Sequence, residues 1–318
     1  MSAIIEIKGL TKRYGALTAL NELNLTIEKG DVFGFIGPNG AGKTTTMRIL
    51  TTLLRPTSGR AQIAGYSVTD QPNEVRRVIG YMPDFFGVYD DMKVWEYLDF
   101  FAACYDVPVN QRKGMIGDLL ALVDLENKRD AQVESLSRGM KQRLCLARTL
   151  AHDPQVLILD EPASGLDPRA RIEMRELLRQ LQMMGKTIFF SSHILSEVAD
   201  ICTNIGIMEA GQLVAFGDIE DMRRQLQVQR LIQARILGEE TAPLKDILFQ
   251  HPQVGKITDG REVELTPDIV RFDFGGTDEE LSQLLRHLIE ADIPMISFSE
   301  EIGDLEDVFM QATKGVVS

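Results

Sequence analysis

The segment Gly37-Pro38-Asn39-Gly40-Ala41-Gly42-Lys43-Thr44-Thr45 constrains this chain more than any other stretch. It fits G-x-x-x-x-G-K-[ST] with Gly37, Gly42, Lys43 and Thr44 in register. The apolar run Val32–Ile36 before it reads as a strand, and the pattern Thr44–Leu54 after it reads as a helix. A glycine-rich turn in that context lets backbone N–H groups converge on an anion, and the helix N-terminus adds partial positive charge. The loop from Gly37 to Thr45 is therefore expected to hold a nucleotide's phosphates. Lys43 reaches the β- and γ-phosphates, and the Thr44 hydroxyl is a ligand for Mg²⁺.

A second stretch answers the first. Val156-Leu157-Ile158-Leu159 is apolar without alternation, as in a strand buried on both faces of a parallel sheet, and it ends in Asp160-Glu161. Such a run ending in two carboxylates is mostly structural when it stands alone. Coupled to a phosphate loop, it places Asp160 beside the Mg²⁺ water shell and Glu161 as the base that polarises an attacking water. Further strands are expected at Ile4–Ile7, Asn24–Ile27, Ile79–Met82, Thr187–Ser191 and Ile205–Glu209. Helices are expected at Val94–Cys104, Arg138–Ala151, Arg169–Met184 and Ile194–Ala199. Strands alternating with helices make an α/β chain with layered helices.

The 318 residues suit two domains, and charge locates the seam. Residues 1–218 carry 24 basic against 27 acidic side chains, and residues 219–318 carry 10 against 20, so −10 of the total −13 lies in the last hundred residues. There the pattern reads as a helix at Ile219–Gln227, a strand at Leu231–Leu237 and a helix at Leu244–Phe249. Paired strands at Glu262–Leu265 and Ile269–Phe274 follow, then a helix at Leu281–Ala291, a strand at Met295–Phe298 and a helix at Leu305–Thr313. The β-α-β-β-α-β order is compatible with a small ferredoxin-like α+β module. It carries no catalytic constellation and reads as a regulatory or dimer-supporting module whose acids face solvent. The acidic balance opposes bulk binding to nucleic acid or anionic lipid. The longest apolar run, Phe100 to Tyr105, is far shorter than a membrane span, and no secretory signal is visible at Met1–Glu6. Cys104, Cys145 and Cys202 stand without metal-type spacing, as in a reducing compartment.

Leu136-Ser137-Arg138-Gly139-Met140 opens a helical run, with Ser137 suited to an N-cap. Together with the two nucleotide motifs it resembles the signature of the ABC-type ATPases, usually Leu-Ser-Gly-Gly-Gln. Ser137 and Gly139 match, while Arg138 and Met140 depart. Other elements fall in the family's order: Ser164-Gly165-Leu166-Asp167 is similar to the D-loop, Ser191-Ser192-His193 to the switch histidine, and Tyr14 to the aromatic residue that stacks on adenine. The resemblance covers roughly residues 3–217. It implies a P-loop NTPase fold of the ABC type at 1–218 with a helical subdomain at about 85–152, followed by the accessory domain at 219–318. It implies that His193 contacts the γ-phosphate and holds the attacking water; taken alone, such a histidine would more often be a satisfied strand-end residue. His152, His251 and His287 read as surface or structural.

By the same resemblance, two copies work head to tail. Ser137 and the Gly139 amide close over ATP held by the partner's phosphate loop, with Asp167 across the seam, so the chain pairs with itself or a close paralogue. Where the family usually has Gln after the strand Ile79–Met82, this chain has Asp84, which accepts hydrogen bonds but cannot donate them when ionised. Asp84 is expected to act in the site as a water or Mg²⁺ partner. The adjoining aromatics Phe85-Phe86-Gly87-Val88-Tyr89 either pack under the helical subdomain or receive a helix of a membrane subunit. The tail Gly303-Asp304-Leu305-Glu306-Asp307-Val308-Phe309 is similar to cassettes paired with ABC-2 permeases, which implies an ATPase of an exporter, cytoplasmic and peripheral on the inner membrane face. The alternatives are a soluble ABC ATPase of translation or DNA repair, disfavoured by a single cassette without sustained heptads, and a non-hydrolysing module, disfavoured by Lys43, Asp160, Glu161 and His193.

Overall fold

The computed structural model describes residues 3–85, 87, 89, 91–194, 198, 201–218, 230–238, 240–259 and 266–301. These fall in two compact units, 3–218 and 230–301. The expected helices at Ile219–Gln227 and Leu305–Thr313, the strand Glu262–Leu265, the tail 303–309 and most of Ile194–Ala199 lie outside the described residues.

The first unit has two sheets. One is antiparallel, built from β1 (Ala3–Tyr14), β2 (Leu17–Glu28), β4 (Ser58–Ile63) and β5 (Tyr66–Ser67) in the order β2-β1-β4-β5. The other contains β3 (Val32–Ile36), β6 (Ile79–Met82), β7 (Val156–Leu159), β8 (Thr187–Ser192), β9 (Asn204–Glu209) and β10 (Gln212–Gly217), in the order β10-β9-β3-β8-β7-β6. Of its five pairings, β9-β3, β3-β8, β8-β7 and β7-β6 are parallel, and β10 pairs antiparallel with β9 at the edge. Every residue of β3, β7 and β8 is buried, which explains their unbroken apolar patterns.

One core joins the sheets. Ile5, Ile7, Leu10, Leu23 and Ile27 of the antiparallel sheet share a cluster with Phe33, Phe35, Ile158, Phe189 and Met208 of the parallel one, and with Met47, Ile49 and Leu50 of helix α1 (Lys43–Leu50). The Phe189 ring lies 5.5 Å from Phe33 and 5.3 Å from Phe35, in the tilted arrangement favoured by ring quadrupoles. Helix α2 (Pro72–Val78) precedes β6. Helices α3 (Val94–Cys104), α4 (Val109–Leu122) and α5 (Arg138–Thr149) pack on one another, and α6 (Pro168–Met183) connects β7 to β8. Among the three packed helices, Arg148 reaches the Tyr97 hydroxyl at 3.2 Å and lies 4.9 Å over the Phe101 ring.

Several elements exceed or escape the pattern-based expectation. The β1–β2 hairpin is twelve residues on each side, not four, because register shifts between Ile7 and Leu10 and again around Lys12 break the alternation that marks a strand. Helix α4 was hidden by Gly114 and Gly117; its buried residues are Ile116, Leu119 and Leu120, at i, i+3 and i+4. Helix α1 stops at Leu50 rather than Leu54, where Thr51 turns its hydroxyl back to the Met47 carbonyl (2.8 Å) and Thr52 takes a positive φ.

The second unit runs β11 (Arg230–Ile236), α7 (Ala242–Gln250), β12 (Val254–Asp259), β13 (Ile269–Phe274), α8 (Asp278–Glu290) and β14 (Met295–Glu301). Its sheet is antiparallel in the order β12-β13-β11-β14, the ferredoxin-like βαββαβ arrangement. Alternate residues Ile232, Ala234, Val270, Phe272 and Phe274 bury one face with Leu244 and Leu248 of α7 and Leu284 and Leu288 of α8. Thr277 and Glu280 form a reciprocal capping box that starts α8. Phe272 is fully buried in this core, so Phe272→Ala is expected to destabilise the chain by about 3–5 kcal/mol in chemical denaturation.

Candidate active site

The parallel strands β3, β8, β7 and β6 all deliver their C-terminal ends to one edge of the sheet, where open α/β sheets bind ligands. A cavity of about 300 Å³ opens there, lined by residues 38–45 of the phosphate loop together with Asp84, Glu161, Ser164 and His193. The loop passes from β3 into α1 through Gly42 at φ 106°, where an added Cβ would stand 2.7 Å from the Ala19 carbonyl oxygen. Glycine is required at that turn.

Lys43 is buried and donates to the carbonyls of Gly37 (2.6 Å) and Pro38 (3.2 Å), with its Nζ 3.9 Å from Glu161 Oε1. Burial pushes its pKa below the ordinary lysine value, and the carboxylates of Glu161 and Asp160 oppose that shift. Asp160, at 1% exposure, accepts from Ser191 Oγ at 2.7 Å and from Thr44 Oγ1 at 3.2 Å. The same Ser191 hydroxyl accepts the Glu161 backbone N–H at 3.0 Å. Glu161 adopts a left-handed backbone at φ 52°, a conformation that costs a non-glycine residue roughly 1–2 kcal/mol and that here departs from the end of β7. Its carboxylate meets His193 Nδ1 at 2.7 Å. Tyr81 of β6 is pushed up to about 12, first by burial and then by the charge of Asp160, so its phenol stays protonated at neutral pH.

The structure thus brings Pro38, Asn39, Gly40, Ala41, Gly42, Lys43, Thr44, Thr45, Asp84, Glu161 and His193 around one cavity, with Asp160 behind Thr44 and the Gly37 carbonyl on Lys43. Four other expected residues stand outside that lining. Tyr14 ends β1 at 48% exposure, with Lys12 Nζ 5.0 Å from its ring centre. Ser137 N-caps α5, accepting the Met140 N–H at 3.3 Å. Gly139 faces α6, where an added Cβ would lie 3.2 Å from Ala170 Cβ. Asp167 N-caps α6 through the Ala170 N–H at 3.0 Å.

Two participants went unassigned in the sequence. Ser191 was legible only as part of a strand end, although a hydroxyl closing the apolar run Ile188-Phe189-Phe190 is the available signal. Ser164 lines the cavity through a turn closed by its N–H to the Glu161 carbonyl, 3.0 Å. His152 is structural: its Nε2 pairs with the Ile79 carbonyl at 2.8 Å and its ring stacks on Tyr105 at 3.9 Å. In the aromatic loop, Tyr89 packs edge-on to Phe100 at 5.5 Å, whereas Phe85 is 90% exposed; Phe86, Val88 and Asp90 lie outside the described residues. Among the described residues, no group of three or more His, Cys, Asp and Glu side chains is arranged to hold a metal, and no helix is long and apolar enough to cross a membrane.

A model of the ABC transporter family matches residues 20–164. The Nod factor export ATP-binding protein I of Ralstonia nicotianae is 32% identical over 311 residues, 98% of this chain and 94% of its own length. The protein of that name from Rhizobium meliloti is 33% identical over 312 residues, 97% of this chain and 88% of its own. A solved ATP-binding subunit of an ABC transporter superposes with a TM-score of 0.64 at 31% identity, over 70% of this chain and 92% of that one. The chain belongs to the ABC transporter family and is its ATP-binding, ATP-hydrolysing subunit. These relatives are transport subunits, against the alternative of a soluble factor in translation or DNA repair.

Ser191→Ala removes one hydroxyl that serves both Asp160 and the Glu161 N–H. Losing a hydrogen bond to a charged group costs about 1.5–3 kcal/mol, so ATPase turnover is expected to fall about tenfold or more, measured as phosphate release at saturating ATP.

Proposed function

We propose that the subunit powers export through a separate ABC-2 type permease, docked on the cytoplasmic face of the membrane. Residues 1–218 act as the nucleotide-binding domain with its helical subdomain at about 85–152, and 219–318 as an accessory domain. The observation that carries the catalytic reading is the single cavity uniting the phosphate loop, Glu161 and His193. Support for export comes from two relatives named as Nod factor export ATP-binding proteins, whose similarity runs through the last hundred residues as well as the cassette. The cargo is selected by the membrane subunit.

Backbone amides of residues 39–45 and the Lys43 ammonium hold the β- and γ-phosphates, with Tyr14 covering the adenine. Lys43 must turn from the Gly37 and Pro38 carbonyls toward the phosphate. Thr44 and Asp160 present hydroxyl and carboxylate oxygens 3.2 Å apart, a hard-oxygen pair that fits Mg²⁺, and Asp84 lines the same cavity as a further acceptor. The ion, when bound, supplies positive charge to the phosphate oxygens. Glu161 takes the proton of the attacking water, while His193, hydrogen-bonded to its carboxylate, orients it and contacts the γ-phosphate.

Ser137, Gly139 and Asp167 complete the site of a second copy or a paralogous subunit, which accounts for their standing away from this chain's own cavity. ATP closes the pair and loss of the γ-phosphate releases it. The exposed Phe85 belongs to the surface that receives the permease.

Glu161→Gln is expected to keep ATP affinity, lose turnover and accumulate as an ATP-bound dimer in size-exclusion chromatography; normal hydrolysis by that variant would remove Glu161 as the base. Lys43→Ala is expected to weaken ATP binding at least tenfold by calorimetry, and an unchanged affinity would count against the phosphate-loop assignment. Tagged chain expressed with its chromosomal neighbours and extracted in detergent is expected to retain a polytopic membrane protein.

A further inference from the structure

The signature helix begins with Arg138 where the family usually has glycine, and the structure gives this departure a definite contact. Arg138 Nη2 donates to the Ser164 carbonyl at 3.1 Å. Its guanidinium fills the space over Gly165, where any Cβ would overlap it. Gly165 itself has φ +67°, a backbone conformation that favours glycine. One turn further along the same face, the buried Gln142 donates Nε2 to the Pro162 carbonyl. Arg143 adds an ion pair with Glu173 of α6 at 3.8 Å. Side chains of α5 therefore grip the carbonyls of residues 162 and 164, the short segment that leads from Glu161 into the D-loop.

That segment also faces the phosphates. Ser164 lines the cavity, and its N–H closes a turn on the Glu161 carbonyl. Arg138 thereby joins the Ser164 carbonyl, and through it the Glu161 turn, to the first turn of α5, where Ser137 and Gly139 stand.

We infer that Arg138 is a positioning residue that ties each cassette's signature to its own D-loop and Glu161 turn, so that the state of one ATP site sets the presentation of the signature to the other. This rests on the head-to-tail pairing proposed above. With glycine at position 138 no side chain could make the link; here the guanidinium supplies both a charged donor and the bulk that seats on Gly165.

The test uses the purified full chain. Arg138→Ala is expected to lower kcat about tenfold, the low end for losing a hydrogen bond from a charged donor, while KM for ATP stays within about twofold. Arg138→Lys retains a donor and is expected to recover most of the loss. Gly165→Ala carries its left-handed backbone cost in either background, and beyond that cost it is expected to lower kcat more in the Arg138 chain than in Arg138→Ala. An equal loss from Gly165→Ala in both backgrounds, or an Arg138→Ala chain with full kcat, would overturn the inference. A companion measurement separates it from the pairing it rests on. In a Glu161→Gln background, ATP-dependent dimerisation is followed by analytical ultracentrifugation. No dimer with ATP defeats the pairing; a dimer equally tight with and without Arg138→Ala defeats the role of Arg138; a weakening of about tenfold with monomer ATP affinity unchanged supports both.

Discussion

The buried carboxylate of Asp160 is the interaction on which the rest of the site depends. It ends β7, accepts Ser191 Oγ from β8 at 2.7 Å and accepts Thr44 Oγ1 from the first turn of α1 at 3.2 Å. Three chain segments far apart in sequence are thereby held at one point. A buried charge survives only when its lone pairs are filled, and here the partners that fill them are the elements the chemistry must align. Ser191 extends the constraint by also accepting the Glu161 N–H, which stabilises the left-handed turn that carries the Glu161 carboxylate to His193.

Around that point the site is polarised by burial. Lys43 sits among its own loop carbonyls and two carboxylates, and burial works against its charge while Glu161 and Asp160 support it. A negative charge placed in the cavity would add to the favourable side of that balance. The same logic keeps Tyr81 protonated beside Asp160. On the far side, the Pro162 and Ser164 carbonyls are held by α5, so the Glu161 turn is braced from β8 by Ser191 and from α5 by Arg138 and Gln142.

Much of this was legible in the sequence because the chemistry needs contiguous residues. The phosphate loop, Asp160-Glu161 and the apolar strands before them are local patterns, and strands buried on both faces advertise themselves as unbroken apolar runs. Elements whose burial is partial were harder to see. The long β1–β2 hairpin is interrupted by register shifts, β10 has no buried residue, and α4 carries two glycines. In the second unit, alternation and amphipathic spacing marked β11, α7, β13, α8 and β14, but β12 (Val254–Asp259) was not expected from the sequence, and the strand order β12-β13-β11-β14 follows only from long-range pairing.

The sequence by itself determined that this chain has a phosphate loop, a carboxylate pair, a signature segment and an acidic final hundred residues, since each is a property of neighbouring residues. Only the tertiary structure decided that Ser191 joins Asp160 to Glu161, that Asp84 shares the phosphate cavity, that Ser137, Gly139 and Asp167 stand apart from it, and that Arg138 reaches Ser164. Those outcomes depend on which strands lie side by side. Parallel pairing in the order β3-β8-β7-β6 lines four strand ends from distant parts of the chain along one edge, each within hydrogen-bond distance of its neighbour. Hydrogen bonds act over about 3 Å, so such partnerships exist only once the sheet has formed.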